Sequence, residues 1–119
     1  MSEYVEGQPY MVEMFATWCP PCRRALPHVA QMREKYPNVF IVSVSNEDAD
    51  PVEKLMEKFA PMKLLNIALD VNGEVAKLSE VNKANGIPHA FVIKDDIIVW
   101  QGHPMDPECE AALSKLNEK

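Results

Sequence analysis

The chain has little cysteine, no surplus of positive charge and no long apolar run, and each shortage closes off a class of protein. Three cysteines in 119 residues, unevenly placed, are too few for the disulfide framework of a small secreted scaffold. Lysine and arginine total 12 against 18 aspartates and glutamates, a formal net charge of −6. Phosphate is therefore not neutralised in bulk, nucleic acid is disfavoured as a partner, and the acidity serves solubility. No apolar stretch approaches the length of a membrane span, and no charged-then-apolar leader opens the chain. Repeats, low-complexity tracts and long linkers are also missing. What remains is one domain, residues 1–119, of ordinary composition, with 47% hydrophobic and 25% charged residues and room for a core. The expectation is a monomeric intracellular protein, and the alternative is an exported or periplasmic domain whose leader or anchor has been removed.

What is present is a regular alternation of periods. YMVEMFA (10–16) and VFIVSVS (39–45) are apolar enough for buried strands, and a shorter strand is expected around Asn66 to Asp70. Between them, Cys22, Leu26, Val29, Met32 and Tyr36 recur at helical steps. Asp50, Pro51 and Glu53 read as cap, first-turn proline and capping-box acid of a second helix, with Val52, Leu55, Met56 and Phe59 as its apolar stripe. GEVAKLSEVNKANG predicts a third helix carrying Val75, Leu78 and Val81 and closed by Asn85–Gly86. HAFVIKDDIIVWQG reads as a hairpin turning at Asp95–Asp96. Asp106–Pro107 then caps a last helix with Cys109, Ala112, Leu113 and Leu116 on one face. The order β-α-β-α-β-α-β-β-α predicts an α/β fold, a central mixed β-sheet flanked by helices on both faces.

The chemistry concentrates in ATWCPPCRRALP, residues 16–27. Cys19 ends the loop after the first strand, and Pro20 and Pro21 occupy the first helical positions, where their missing N–H groups cost least. The first free donor is then the Cys22 N–H, which points back at the Cys19 sulfur together with the positive end of the helix dipole. A thiolate at Cys19 is favoured there, weakly helped by Arg23 and Arg24. Cys22 faces inward, shielded yet close enough to attack a mixed disulfide formed by Cys19, which is a thiol–disulfide exchange cycle. Two other readings exist. A structural disulfide across four residues restrains little. A zinc site needs four ligands, and His28, His89, His103 or Cys109 would have to complete it from scattered places.

EMFATWCPPCRRALP followed by GIPHAFVI resembles the thioredoxin superfamily, and its TlpA/ResA-like thiol–disulfide oxidoreductases most of all. The likeness runs from about Tyr10 to the last helix. It implies the thioredoxin fold, Cys19 as nucleophile, Cys22 as resolving thiol, and a cis bond before Pro88 lying against the pair. Proline there leaves the Ile87 backbone free to pair with an extended substrate segment. Pro27 matches the helix proline of thioredoxins, is read as structural, and should kink the helix. Glu13 stands where thioredoxins proper carry a buried aspartate; desolvation would raise its pKa and fit it to serve as base for Cys22. Relatives of the TlpA type often have a neutral residue at that place, so the chain departs from its nearest pattern here.

Trp18, Pro20, Pro21, Ile87 and Pro88, with the Gly102–His103 turn, would form a shallow apolar contact patch around Cys19. The three histidines read as incidental, His89 lying nearest the site, and Cys109 as an inert core residue. The implied activity is exchange with protein thiols and disulfides, with no cofactor beyond the Cys19–Cys22 pair and an electron-donor reductase as partner. Two prolines between the cysteines give no side-chain charge to hold the reduced state, so a reductant of low to intermediate potential is expected. The alternatives are a copper- or zinc-handling protein using the same pair, a peroxidase of the peroxiredoxin type, whose Pro-x-x-x-Thr-x-x-Cys site is absent, and a binding module with a vestigial site.

Overall fold

The computed structural model describes residues 4–118. The alternating periods become β1 (Tyr10–Met14), α1 (Pro20–Lys35), β2 (Phe40–Ser45), α2 (Ala49–Lys58), a 3₁₀ turn (Ala60–Leu64), β3 (Ile67–Leu69), α3 (Glu74–Val81), β4 (His89–Lys94), β5 (Ile97–Gly102) and α4 (Pro107–Asn117). All five strands join one sheet in the order β3-β2-β1-β4-β5. The β1–β2 and β2–β3 pairs are parallel, and β1–β4 and β4–β5 are antiparallel. β1 is thus the central strand, and the loop that leaves it ends at Cys19, with Cys22 in the first turn of α1.

Side-chain alternation along β1 places the helices on opposite faces. Met11 points to α4, where its Sδ lies 3.7 Å from the Cys109 sulfur, whereas Met14 points the other way and accepts a hydrogen bond from Ser79 Oγ of α3. α1 joins α4 on the first face. Glu110 of α4 accepts from Lys35 Nζ and from Tyr36 Oη, each at 2.7 Å. The stripe Cys22, Leu26, Val29, Met32 and Tyr36 is buried throughout, so the helical period of the sequence is the burial pattern of α1. Pro27 lies inside that helix, which runs on to Lys35.

Two helix ends differ from the sequence reading. α2 begins at Ala49 behind Asp48, which makes no side-chain capping bond, and Asp50 falls in the first turn, paired with Lys54 at 3.0 Å. A first-turn proline loses no intrahelical bond at any of those positions, so Pro51 does not single out the cap residue. α3 stops at Val81, short of Asn85–Gly86. Lys83, at φ 55°, takes the left-handed position usually given to glycine. The Ala84 N–H reaches Ser79 O at 2.9 Å and the Lys83 N–H reaches Glu80 O at 3.3 Å, which closes the helix end as a Schellman motif. Of its expected stripe, Val75 and Leu78 are half-buried and Val81 is exposed.

The hairpin turns where expected. Asp95 and Asp96 both have positive φ, 52° and 62°, as a two-residue turn matched to strand twist requires. At its far end the hairpin brings Ile87–Pro88 and Gly102–His103 alongside the end of β1, since Met14 pairs with His89 and Ala90 with Gly102. A Cβ on Gly102 would meet the Trp100 ring at 2.9 Å, so only glycine lets the indole lie over this corner.

Candidate active site

α1 is capped by its own cysteine. Cys19 has extended backbone (φ −98°, ψ 104°), and its Sγ accepts the Cys22 N–H at 3.2 Å. Serine or aspartate oxygen usually fills this role; here a sulfur does. Pro20 and Pro21 stand at the first helical positions, which leaves the Cys22 N–H as the first donor able to turn back. The two cysteines form a disulfide with Cα atoms 5.2 Å apart. Cys22 has no solvent exposure and Cys19 has 4%. Across the gap, the Ile87 carbonyl oxygen lies 3.9 Å from the Cys19 sulfur, and the Ile87–Pro88 bond is cis.

The five contact residues proposed from sequence separate into two groups. Trp18, 71% exposed, and Ile87 line a cleft of about 130 Å³ floored by Phe15 and Val44 and walled by Val75 and Ala76 of α3. Pro20 and Pro21 are exposed at the helix start, and Pro88 is buried; none of the three lines that cleft. The α3 wall went unnoticed in the sequence because its residues lie more than fifty positions from the cysteines, with no shared motif. A larger cavity of about 520 Å³, between Pro9, Asn38, Lys94 and Lys115, opens at the opposite ends of the strands and holds no thiol.

Glu13 is buried completely in the middle of β1. It shares the strand face of Met11, the face that α4 covers, and neither carboxylate oxygen has a hydrogen-bond partner among the described residues. Burial pushes its pKa up to about 7; the Ser43 hydroxyl opposite, close enough to oppose the rise but not aligned as a hydrogen-bond donor, works the other way. Cys109 shares this interior. Burial first, then the carboxyls of Asp106, Glu110 and Glu13, push its thiol up to about 12, which keeps it protonated and unreactive.

A second carboxylate, missed in the sequence, touches the cysteine loop from outside. Glu47, just past β2, accepts the Thr17 N–H at 2.7 Å, the Thr17 hydroxyl at 2.6 Å and the Ser45 hydroxyl at 2.9 Å. Desolvation raises its pKa, and these three donors more than offset that, holding the carboxyl below its usual range. Among the described residues no group of three or more His, Cys, Asp or Glu converges to hold a metal ion, and no helix is long and apolar enough to cross a membrane. His89 contacts Gln101 at 3.1 Å, His103 Nδ1 accepts the Met105 N–H, and His28 faces Glu110.

A central strand that runs into a cysteine-capped helix, facing a proline loop across a mixed sheet, defines a thioredoxin-fold protein with a dithiol–disulfide centre. The chain belongs to the AhpC/TSA family, whose model matches residues 1–101. It is similar to thiol-disulfide oxidoreductase ResA of Bacillus thuringiensis subsp. konkukian, 27% identical over 116 residues, which are 93% of this chain and 65% of that protein. Thioredoxin-2 of Pyricularia oryzae is 35% identical over 75 residues, 63% of this chain and 41% of that one. The chain thus spans less than two thirds of the length of these relatives. Among solved structures, StoA from Bacillus subtilis superposes with a TM-score of 0.68 at 25% identity, covering 92% of this chain and 84% of its own.

Proposed function

We propose that this protein is a thiol–disulfide oxidoreductase that acts on protein disulfides as a reductant. The observation that carries the reading is the placement of Cys19 Sγ, held at the start of α1 by the Cys22 N–H and 3.9 Å from the Ile87 carbonyl. The names of the relatives and the family membership support it. In the dithiol form the helix terminus favours a thiolate at Cys19. That thiolate attacks one sulfur of a substrate disulfide; the substrate S–S bond breaks, and one substrate thiolate leaves. Glu13 then takes the Cys22 proton, and the Cys22 thiolate attacks the Cys19 sulfur of the mixed disulfide. The second substrate thiolate leaves and is protonated, and the chain keeps the Cys19–Cys22 disulfide. Two electrons have passed to the substrate, and an electron-donor reductase would return them.

Trp18 and Ile87 would hold the substrate segment in the cleft beside Cys19, with Pro20, Pro21 and Pro88 shaping the approach. The cycle needs no cofactor beyond the cysteine pair. For the copper or zinc alternative, no third His, Cys, Asp or Glu converges on the two thiols among the described residues, whereas a structural zinc site takes four ligands. Reduction of insulin disulfides, driven by dithiothreitol, tests the activity. Glutathione equilibration of the Cys19–Cys22 pair tests the direction, a potential near that of thioredoxin marking a reductant and one near that of DsbA overturning it.

A further inference from the structure

We propose that Glu47 is a positioning residue for the nucleophile and acts on Cys19 through Thr17. The proposal rests on the oxidoreductase reading above. Residues Ala16 to Cys19 form a tight turn closed by the Cys19 N–H on Ala16 O at 3.2 Å. The strand before it ends on a last rung, Phe15 N–H to Val44 O at 3.0 Å. Within the turn, both donors of Thr17, the N–H and the hydroxyl, are spent on the one carboxylate of Glu47, at 2.7 and 2.6 Å, one on each oxygen. That carboxylate is itself fixed by Ser45, whose hydroxyl donates to Oε1 at 2.9 Å and accepts the Glu47 N–H at 3.1 Å. Among the described residues it takes part in none of the ion pairs.

The arrangement ties the turn to the end of β2 two residues ahead of the sulfur, while Trp18, between Thr17 and Cys19, stays exposed. The tie matters because the Cys19 sulfur keeps its place at the helix start only if the turn does not rotate, and a misplacement of about 1 Å can cost roughly a hundredfold in rate. Charge and geometry pull in opposite directions here. A negative carboxylate near the sulfur disfavours a thiolate by its field, whereas the clamp favours one by aligning the sulfur with the Cys22 N–H. Glutamine separates the two effects. Its Oε1 accepts from the Thr17 N–H, its Nε2 donates to the Thr17 oxygen, and its charge is gone.

The experiment uses the full reduced chain and follows three quantities: iodoacetamide alkylation of Cys19 against pH, kcat and KM for insulin reduction, and thermal unfolding. In Glu47→Ala the alkylation midpoint moves to higher pH and kcat falls about tenfold or more, with KM within about twofold, because alignment is a property of the reacting atom. Glu47→Gln recovers both to within about threefold, and Thr17→Val, which loses one of the two arms, falls between them. A midpoint that moves to lower pH in both Glu47 variants makes the carboxylate a bare charge and overturns the proposal. So does a Glu47→Ala protein that melts earlier but keeps its alkylation profile and kcat. If Glu47→Ala does not fold, Thr17→Val decides, and an unchanged profile and kcat in that variant overturns the clamp. A wild-type chain without insulin turnover, or with Cys22 alkylated ahead of Cys19, overturns the oxidoreductase reading first and this proposal with it.

Discussion

Glu13 and Ser43 face each other across the parallel β1–β2 pair, both without solvent contact. A carboxyl so placed is cheap to bury when protonated and costly when charged. Unfolding frees it to ionise at its ordinary pKa of 4.5, whereas in the fold it holds its proton to about 7. The folded state therefore binds more protons between those values, and stability falls as pH rises through that window, then levels off above it. Replacing Glu13 by glutamine removes the loss. Denaturant unfolding at about pH 4 should show little difference, and at about pH 8 the variant should be more stable by roughly 3 kcal/mol. Equal stability at both pH values would mean that the carboxyl is not desolvated.

The same substitution separates the proton relay from simple packing. Glu13→Gln should slow the release of a mixed disulfide at neutral pH, by about a hundredfold at the low end of what general bases contribute. The first attack by Cys19 should be unchanged. Stopped-flow reduction of a chromogenic disulfide resolves the two phases, and an unaltered release rate would remove Glu13 from the cycle.

Cys22→Ser leaves the nucleophile without its resolving partner. The variant should accumulate covalent adducts with protein disulfides that dithiothreitol cleaves, and Cys19→Ser should form none. Mass spectrometry of trapped species in which the adduct maps to Cys109 would contradict the burial of that thiol. Cys109→Ala should leave the potential and turnover unaltered and cost about 1–2 kcal/mol for the small cavity left under Met11.

Trp18 is exposed, so its loss should barely touch the fold. Trp18→Ala is expected within about 0.5 kcal/mol of wild type in stability, with kcat/KM for insulin reduced about tenfold, a loss of about 1.4 kcal/mol of contact. A variant that unfolds early would assign the ring to the core, and unimpaired kcat/KM would take it out of substrate contact.

Much of this architecture could be read before any coordinates. The stripe from Cys22 to Tyr36 was visible because α1 repeats its contacts every turn, and Cys19 could be placed at the helix start because two adjacent prolines tolerate few other positions. The end of α3 could not be read in this way. Lys83 took the left-handed residue that Asn85–Gly86 advertised, since a local signal says that a cap can form and not that it will. Glu47 and Thr17 were invisible for a different reason. They lie thirty residues apart, and no period or motif records which loop a β2-terminal carboxylate will reach.

One atom has two employments in this molecule. The sulfur that terminates a sixteen-residue helix is also the sulfur proposed to be consumed at each turnover. The bond from the Cys22 amide is present even with that sulfur in the disulfide, and it strengthens when the sulfur is ionised. Deuterium uptake at that amide should therefore be slowest in the dithiol form and would act as a clock hand for the cycle.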